Sequence, residues 1–295
     1  MSRSSKVLLI AALTLLAICE SGLAQRESFV SVAALFEIGM GARPMGMGNA
    51  FVGLADDENA AFYNPAALAF LKTRGVTSLY TKQFEAIDYG ALGFASKSLA
   101  LSLLQLYAPD IPITNVFGNP DEERISYVSR AGLISLGVAL INSIAVGTRL
   151  KFYHEQSGKI TGFGWALDPA VMLIFNHLRV GAIFENAFSQ PIQFNNEHTE
   201  SWVPSLRVGG SLVYEFSEQR AKLSLLADVS SVSDRPVSHL GVELWLEALG
   251  VRAGFDGGAI TVGTSIELKG FRIDWAYAAH PQLPHSNRLS VTFRF

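Results

Sequence analysis

The last ten residues of the chain alternate between apolar and polar side chains and end on an aromatic. Leu289, Val291, Phe293 and Phe295 fall on one face of a strand, because successive side chains of a β-strand point to opposite faces. An apolar strand at the end of an open sheet would expose an unpaired edge, which invites aggregation. Closure into a barrel removes that edge, because the last strand then pairs with the first. The C-terminus therefore predicts a closed β-barrel.

The N-terminus predicts export from the cytoplasm. A short basic region is followed by an apolar run of about 12 residues that ends at Ile18, and small residues then lead to Ala24. This is the pattern of a secretory signal peptide, which we assign to residues 1–24. The apolar run is too short for a membrane helix, which needs roughly 20 residues. A lipid anchor on Cys19, the only cysteine, is the less favoured alternative because bulky Ile18 precedes it.

Composition narrows the class of protein further. Apolar residues make up 49% of the chain and charged residues 17%, less than the roughly 25% typical of soluble domains. The net charge of −3 gives no support for nucleic-acid binding. The 17-residue uncharged stretch 131–147 contains the turn-like pair Asn142-Ser143 and three glycines, which favours two strands over a membrane helix. A high apolar content that is distributed along the whole chain is typical of a transmembrane barrel, in which lipid-facing and lumen-facing side chains alternate.

Residues 74–295 consist of strand-length segments separated by turn residues. We predict about 14 strands, near 74–82, 86–97, 98–109, 123–140, 143–155, 159–176, 177–187, 202–217, 220–231, 237–247, 249–257, 258–268, 270–280 and 286–295. Counts of 12 or 16 stay open. Turns after even strands are short, whereas 109–122, 188–201 and 280–285 form longer connections after odd strands. This predicts an all-β, transmembrane, antiparallel up-and-down barrel with its short turns on the periplasmic side.

The predicted faces of the strands separate apolar from charged residues. Phe271, Ile273 and Trp275 alternate with Arg272 and Asp274. A charge on the lipid face costs roughly 2–4 kcal/mol for Arg or Lys at mid-bilayer. We therefore expect the charged residues of the strands to point into the lumen, where opposite signs can pair.

Residues 25–73 differ from the barrel because they are rich in Gly, Ala and Met and do not alternate. Asn64 resembles a helix N-cap, and Pro65 suits the first position of a helix that runs to Lys72. The acidic run 56–58 favours a helix N-terminus over a calcium site, since three adjacent acids lack the spaced ligands of a calcium loop. We predict a compact segment of tight turns and two short helices.

This N-terminal region carries a family resemblance. Residues 36–57 contain Gly-Ala-Arg, Gly-Met-Gly and Ala-Asp-Asp in order, and residues 60–68 contain Asn-Pro-Ala. The region resembles the start of the PorV/PorQ family, within the wider FadL-like group of outer-membrane transporters. The resemblance implies a 14-stranded barrel in the bacterial outer membrane whose N-terminal segment, 25–73, folds back into the lumen as a plug, or hatch.

The candidate site residues follow from this interpretation. Gly46 and Gly48 would allow close packing of the hatch against the wall, and Asn64-Pro65 would form its corner; we take these four residues as candidates for gating. Phe293 and Phe295 are candidates for the signal that the barrel-assembly machinery recognises. The glycines do not fit a nucleotide loop, because Pro44 occupies the last glycine position of such a motif.

No residue pattern points to catalysis, a metal or a cofactor. The Gly-x-Ser-x-Gly motif of serine hydrolases is missing from the sequence, and the six histidines show no metal-ligand spacing. We therefore predict a protein that is not an enzyme and needs no cofactor.

Two functions remain. FadL moves long-chain fatty acids and other hydrophobic molecules across the outer membrane, so the resemblance implies a barrel that binds or transports hydrophobic small molecules past its hatch. The PorV branch acts in some bacteria in type IX secretion, which implies the alternative of a barrel that holds or shuttles exported protein. The expected partners are outer-membrane lipid, a hydrophobic small molecule, the barrel-assembly machinery and, for the alternative, secretion-system proteins. A third possibility, an open porin, conflicts with the predicted plug.

Overall fold

The computed structural model describes residues 34–114, 120–232, 235–279 and 285–295. The predicted signal peptide 1–24 lies outside these ranges, as do the first residues of the predicted hatch and most of the loop 280–285. The signal peptide and the division of the chain between residues 73 and 74 stay predictions.

Fourteen antiparallel strands close into a barrel. The strands of the described residues are β1 (Gly75–Gln83), β2 (Ile87–Ser96), β3 (Leu99–Thr114), β4 (Pro120–Ile141), β5 (Ile144–Ser157), β6 (Ile160–Phe175), β7 (Leu178–Glu185), β8 (Phe188–Phe194), β9 (Thr199–Glu200), β10 (Ser205–Phe216), β11 (Ala221–Val232), β12 (Arg235–Leu246), β13 (Leu249–Asp256), β14 (Ala259–Leu268), β15 (Phe271–Ala278) and β16 (Ser286–Arg294). β1 to β7 and β10 to β16 each pair with their neighbours along the chain. β16 pairs with β1, with Thr77 opposite Thr292, so the predicted closure is confirmed.

The long connections contain more strand than the sequence predicts. β8 continues the line of β7 along β6, and β9 returns beside it, so most of 188–201 is a hairpin rather than an irregular loop. β3 and β4 likewise extend into 109–122, past a register shift between Ala108 and Ile111. A β-bulge of this kind absorbs unpaired residues without ending the ladder, and turn residues in the sequence do not reveal it.

Exposed apolar side chains and buried charged side chains alternate along the strands of the wall, as predicted. Phe271, Ile273 and Trp275 are 45%, 43% and 38% exposed, whereas Arg272 and Asp274 are each 1% exposed. The same alternation gives the barrel an apolar outer surface and a polar lumen, as the bilayer requires of a spanning β-sheet. The pair Asn142-Ser143 turns the chain between β4 and β5, so 131–147 forms two strands. This closed barrel with an apolar exterior is an outer-membrane protein.

Residues 34–73, here called the inner segment, fold inside the barrel. Its helices are Ala34–Glu37, Ala42–Gly46 and Ala60–Tyr63, followed by the 3₁₀ helix Pro65–Phe70. The helix Ala42–Gly46 packs against β14 and β15, and the 3₁₀ helix packs against β4 and β5 on another side of the wall. Three short helices and one 3₁₀ helix therefore replace the two helices that we predicted. No helix in the described ranges has the length and apolar character needed to cross a membrane.

Candidate functional site: the closed lumen

The inner segment fills the lumen at the level where it crosses. From 41 to 69 every residue except Asp56 is buried, and Met45, Phe51 and Leu68 are each 0% exposed. These residues are buried by packing against each other and against the wall. Any passage through the barrel therefore depends on how the inner segment is held.

Two of the predicted gating residues lie directly against the wall. Gly48 has a φ of +62°, and a Cβ there would overlap the carbonyl oxygens of Phe255 and Leu240. Its N–H donates to Thr261 Oγ1 at 3.0 Å. A Cβ on Gly46 would lie 3.2 Å from Gly263 Cα. At Gly48 backbone meets backbone, which only glycine permits, whereas a Cβ on Gly46 would make a tight contact that a small shift relieves.

The strands of the wall also have glycines where they contact the inner segment. A Cβ on Gly254 would collide with Gly48 N, one on Gly181 with Val52 O, and one on Gly147 with Ala66 N. None of these three wall positions was predicted from the sequence. The available signal was a glycine at a lumen-facing position of a strand, which often marks close approach of another backbone.

Asn64 and Pro65, the other two gating candidates, form a corner against β4 to β6. The Asn64 side chain accepts a hydrogen bond from Ala66 N–H at 3.1 Å, as an N-cap does. Its amide donates to Val52 O at 3.0 Å and to Val171 O, on β6, at 3.1 Å. One fully buried side chain thus joins two parts of the inner segment to the wall. A role of these residues in gating stays a prediction.

Arg43 of the inner segment binds three carboxylates in the lumen. Its guanidinium donates to both oxygens of Glu243 on β12, at 2.8 and 2.6 Å, and to Asp56 and Asp57 at 2.6 and 2.8 Å. Arg252 also donates to Glu243, at 2.6 Å. Lumenal charges were expected to pair with each other. Their pairing with the inner segment was not foreseen.

The acidic run 56–58 binds basic side chains of the wall. Arg272 donates to Asp57 at 2.9 Å, Lys222 to Asp56 at 2.6 Å and Arg294 to Glu58 at 2.7 Å. The N-cap of the helix Ala60–Tyr63 is Asn59, which makes no side-chain cap bond. Asp57 does accept from Asn59 N–H at 2.9 Å. The expected helix-capping role is therefore secondary to ion pairing with the wall.

The electrostatics of the acidic run favour its charged form. Burial alone would raise the pKa of the Asp57 carboxyl, but the charges of Arg43 and Arg272 outweigh it and hold that pKa well below its usual range. The pKa of Asp56 is lowered in the same way, because Arg43 and Lys222 outweigh burial. Both carboxylates therefore stay ionised and bound at neutral pH.

Further polar contacts hold other parts of the inner segment against the wall. Arg149 on β5 pairs with Asp168 on β6 at 2.6 Å and donates to the carbonyl oxygen of Phe62. Asp228 on β11 accepts from the N–H groups of Phe51 and Val52 at 2.8 and 2.9 Å. The inner segment is thus fixed to the wall at several points around its circumference.

Aromatic side chains gather above the inner segment, on the side of the long connections. The ring centroids of Phe36, Tyr153 and Trp202 lie 5.8 to 6.1 Å apart. The ammonium of Lys151 lies 4.9 Å from the Phe36 ring and 5.3 Å from the Trp202 ring. We call these three rings the aromatic cluster. Phe36 is partly exposed, whereas Tyr153 and Trp202 are buried beneath it.

A charged cavity opens below the inner segment, on the side of the short turns. Its volume is about 870 Å³, and basic and acidic side chains line it together, including Lys72, Arg179, Lys222, Lys269, Glu215 and Glu247. We call it the vestibule. Its surface suits water and charged groups.

Phe293 and Phe295 lie at the rim where β1 and β16 meet. They are 52% and 55% exposed, with ring centroids 5.8 Å apart. Phe295 N–H donates to Arg74 O at 3.0 Å, and the Arg74 guanidinium lies 4.9 Å from the Phe295 ring. Recognition of this pair by the assembly machinery stays a prediction.

The His, Cys, Asp and Glu side chains in the described part of the chain form no group of three or more that is placed to hold a metal ion. The buried carboxylates of Asp57, Asp168 and Glu243 are instead engaged by arginines.

Comparison with known proteins identifies the fold. Neither a protein-family model nor a curated protein matches the chain. Among solved structures, the Pseudomonas putida toluene transporter TodX is 10% identical, with a TM-score of 0.51, over 87% of this chain and 97% of that one. A Pseudomonas aeruginosa FadL homologue is 11% identical, with a TM-score of 0.46, over 85% and 97%. The likeness to TodX shows the fold alone, a closed outer-membrane β-barrel.

Proposed function

We propose that this barrel binds hydrophobic, fatty-acid-like small molecules and passes them across the outer membrane without chemical change. The main support for the proposal is that the inner segment closes the lumen and is held there only by non-covalent contacts. The aromatic cluster lies beside this closure, on the side of the long connections. Two further facts support the proposal: the fold is that of a toluene transporter, and residues 36–68 resemble the PorV/PorQ branch of the FadL-like group.

The aromatic cluster is the proposed first contact. Phe36 belongs to the inner segment and is partly exposed, whereas Tyr153 and Trp202 belong to the wall and its outer hairpin. An apolar ligand that inserts between these rings separates the inner segment from the wall. Aromatic pairs contribute about 0.5–1.5 kcal/mol beyond their buried area, so a ligand that replaces those contacts can offset their loss.

The inner segment is the proposed gate. Gly46 and Gly48 on one side and Asn64 and Pro65 on the other are in close contact with the wall. A shift of this segment would open a path beside it. Hinges of this kind concentrate at the ends of short elements, which is where these four residues lie.

Identification of bound molecules tests the proposal. The full chain is purified from native outer membrane, extracted and analysed by mass spectrometry, and uptake of the molecule found is measured in a deletion strain complemented with variants. Phe36→Ser should reduce uptake, because it removes one ring of the cluster. Phe184→Ser, a matched change on the exposed outer face, should not. Recovery of detergent and bulk phospholipid alone, with normal uptake after deletion, would contradict the proposal.

A second function, a barrel that holds or shuttles exported protein in a type IX-like secretion system, has one observation in its favour. The ion pairs that keep the lumen closed and the charged vestibule suit a barrel that contacts polypeptides at its rims. Co-purification of a large partner protein in place of an apolar molecule would favour this alternative.

A further inference from the structure

A groove of about 660 Å³ crosses strands β1 to β6. It lies on the outer side of the wall, because the lumen-facing side chains at this level, Tyr89 and Tyr153, are 0% and 1% exposed. Its walls are outward-facing apolar side chains: Tyr80, Leu92, Leu103, Phe152 and Phe163. The groove therefore faces lipid.

Two outward-facing glycines form the floor. A Cβ on Gly132 would have its nearest neighbour, Leu103 Cδ2, at 3.9 Å, and a Cβ on Gly90 would have Leu79 O at 3.8 Å. Among the described residues, these distances leave room for a side chain at both positions, in contrast to the glycines that touch the inner segment. The space they leave open has a volume in the usual range for small-molecule sites, about 300–1,000 Å³.

A cation lies at one edge of the groove. Arg130 is exposed on the outer face of β4, and its Nε donates to Gln105 Oε1 at 3.0 Å. His154 is its partner on β5. The nearby carboxylate of Asp88 accepts from Tyr80 OH at 2.7 Å and lies opposite Lys82. The edge of the groove is thus suited to an anion.

The depth of Arg130 matches the outer membrane interface. It precedes the short turn at 142–143 by about 12 residues, and tilted barrel strands rise roughly 2.5 Å per residue along the membrane normal, so it lies roughly 30 Å above that turn. The apolar band of such barrels is about 25 Å tall. An arginine there reaches the headgroups of the outer leaflet, whose main component in a bacterial outer membrane is a phosphorylated glycolipid.

We propose that this groove binds lipid A, with one acyl chain over Gly90 and Gly132 and a phosphate on Arg130. Guanidinium groups bind phosphate through charge-assisted hydrogen bonds. The bound lipid would cover the wall formed by β1 to β6, on the outer side of the barrel and away from the lumen.

Native mass spectrometry of the full chain tests this assignment. The purified protein is incubated in turn with lipid A, lipid A without its phosphates, and phosphatidylglycerol. We expect lipid A to be retained most strongly, and Arg130→Gln to reduce its retention about tenfold, the effect of one charge-assisted hydrogen bond. Lys159→Gln, an exposed charge in the turn between β5 and β6, is the matched control and should change nothing.

Gly132→Leu provides a second, independent variant, since it fills the floor without disturbing the lumen. It should abolish retention of lipid A, whereas Ala253→Leu, on the outer face of β13, should leave it unchanged. Heat-modifiable migration shows that each variant forms the barrel. Equal retention of lipid A with and without phosphates, equal retention of phosphatidylglycerol, or wild-type retention by either groove variant would overturn the proposal.

Discussion

Arg43 of the inner segment and Glu243 of β12 form a two-bonded ion pair inside the lumen, although 200 positions separate them in the chain. Their side chains are 3% and 0% exposed. A planar guanidinium that meets a carboxylate with two parallel bonds fixes both position and orientation. This pair therefore holds the segment that closes the barrel in one place on the wall.

Loss of this pair should open the barrel. Arg43→Gln leaves Glu243 without its inner-segment partner, and breaking a buried ion pair costs about 3–5 kcal/mol. We expect frequent conductance steps in a planar bilayer, where the wild type stays closed. Arg220→Gln is the control, because the Arg220–Glu247 pair spans 3.6 Å with both side chains largely exposed. Equal conductance of the two variants would show that the pair does not hold the lumen closed.

Glycines of the wall should be essential where they face the inner segment. Gly254→Val places a side chain where Gly48 N now lies, so we expect residues 46–48 to be displaced and the inner segment to become sensitive to protease. Gly132→Val adds the same side chain on the lipid face, where the nearest atom is 3.9 Å from the new Cβ. Protection from protease should be unchanged there.

Acid should weaken the ion pairs that fix the inner segment to the wall. The pKa of Asp57 is lowered in the folded protein, since Arg43 and Arg272 outweigh the effect of burial. The stabilisation that ionised Asp57 gives to the folded protein is therefore complete above the ordinary pKa of an aspartate, about 3.9. This stabilisation is lost as the pH falls through the lower pKa that Asp57 has in the folded state. Conductance should stay low from pH 7 to pH 5 and rise only below about pH 4. In Asp57→Asn this acid response should be smaller, and a rise between pH 7 and pH 5 in the wild type would contradict the assignment.

Asn64→Ala should destabilise the closed state. The variant loses an N-cap, which costs about 1 kcal/mol, and the two hydrogen bonds that its amide donates to Val52 and Val171. We expect the heat-modifiable form to disappear at a lower temperature and the basal conductance to rise. Asn142→Ala, in the exposed turn between β4 and β5, should leave both measurements unchanged.

The barrel was predictable from the sequence because its constraints are local. Alternation along β14 to β16 fixes which side chains meet lipid, and a charge on the wrong face is costly. The same rule placed Arg272 and Asp274 in the lumen. The β8–β9 hairpin was not predicted. Whether β8 forms a strand depends on its pairing with β6, and the residues of the connection itself do not reveal that pairing.

The contacts of the lumen were less predictable, since they join positions far apart in the chain. The sequence identified Gly46, Gly48, Asn64 and Pro65 as special positions but not their partners. Whether Glu243 meets Arg43 depends on the path of the inner segment through the barrel. Composition and periodicity carry no information about that path.

In the proposed function the inner segment must move for an apolar molecule to pass, and a reversible tether between the inner segment and the wall tests this requirement. A Cβ on Gly46 would lie 3.6 Å from the Cβ of Ala276 on β15, within the range that a disulfide requires. Gly46→Cys combined with Ala276→Cys should therefore fix the segment to the wall. Uptake of the molecule identified in the purified protein should fall to the level of the deletion strain when the disulfide is formed, and should return on reduction, while either single cysteine variant transports normally. Wild-type uptake by the oxidised, fully cross-linked barrel would contradict the account.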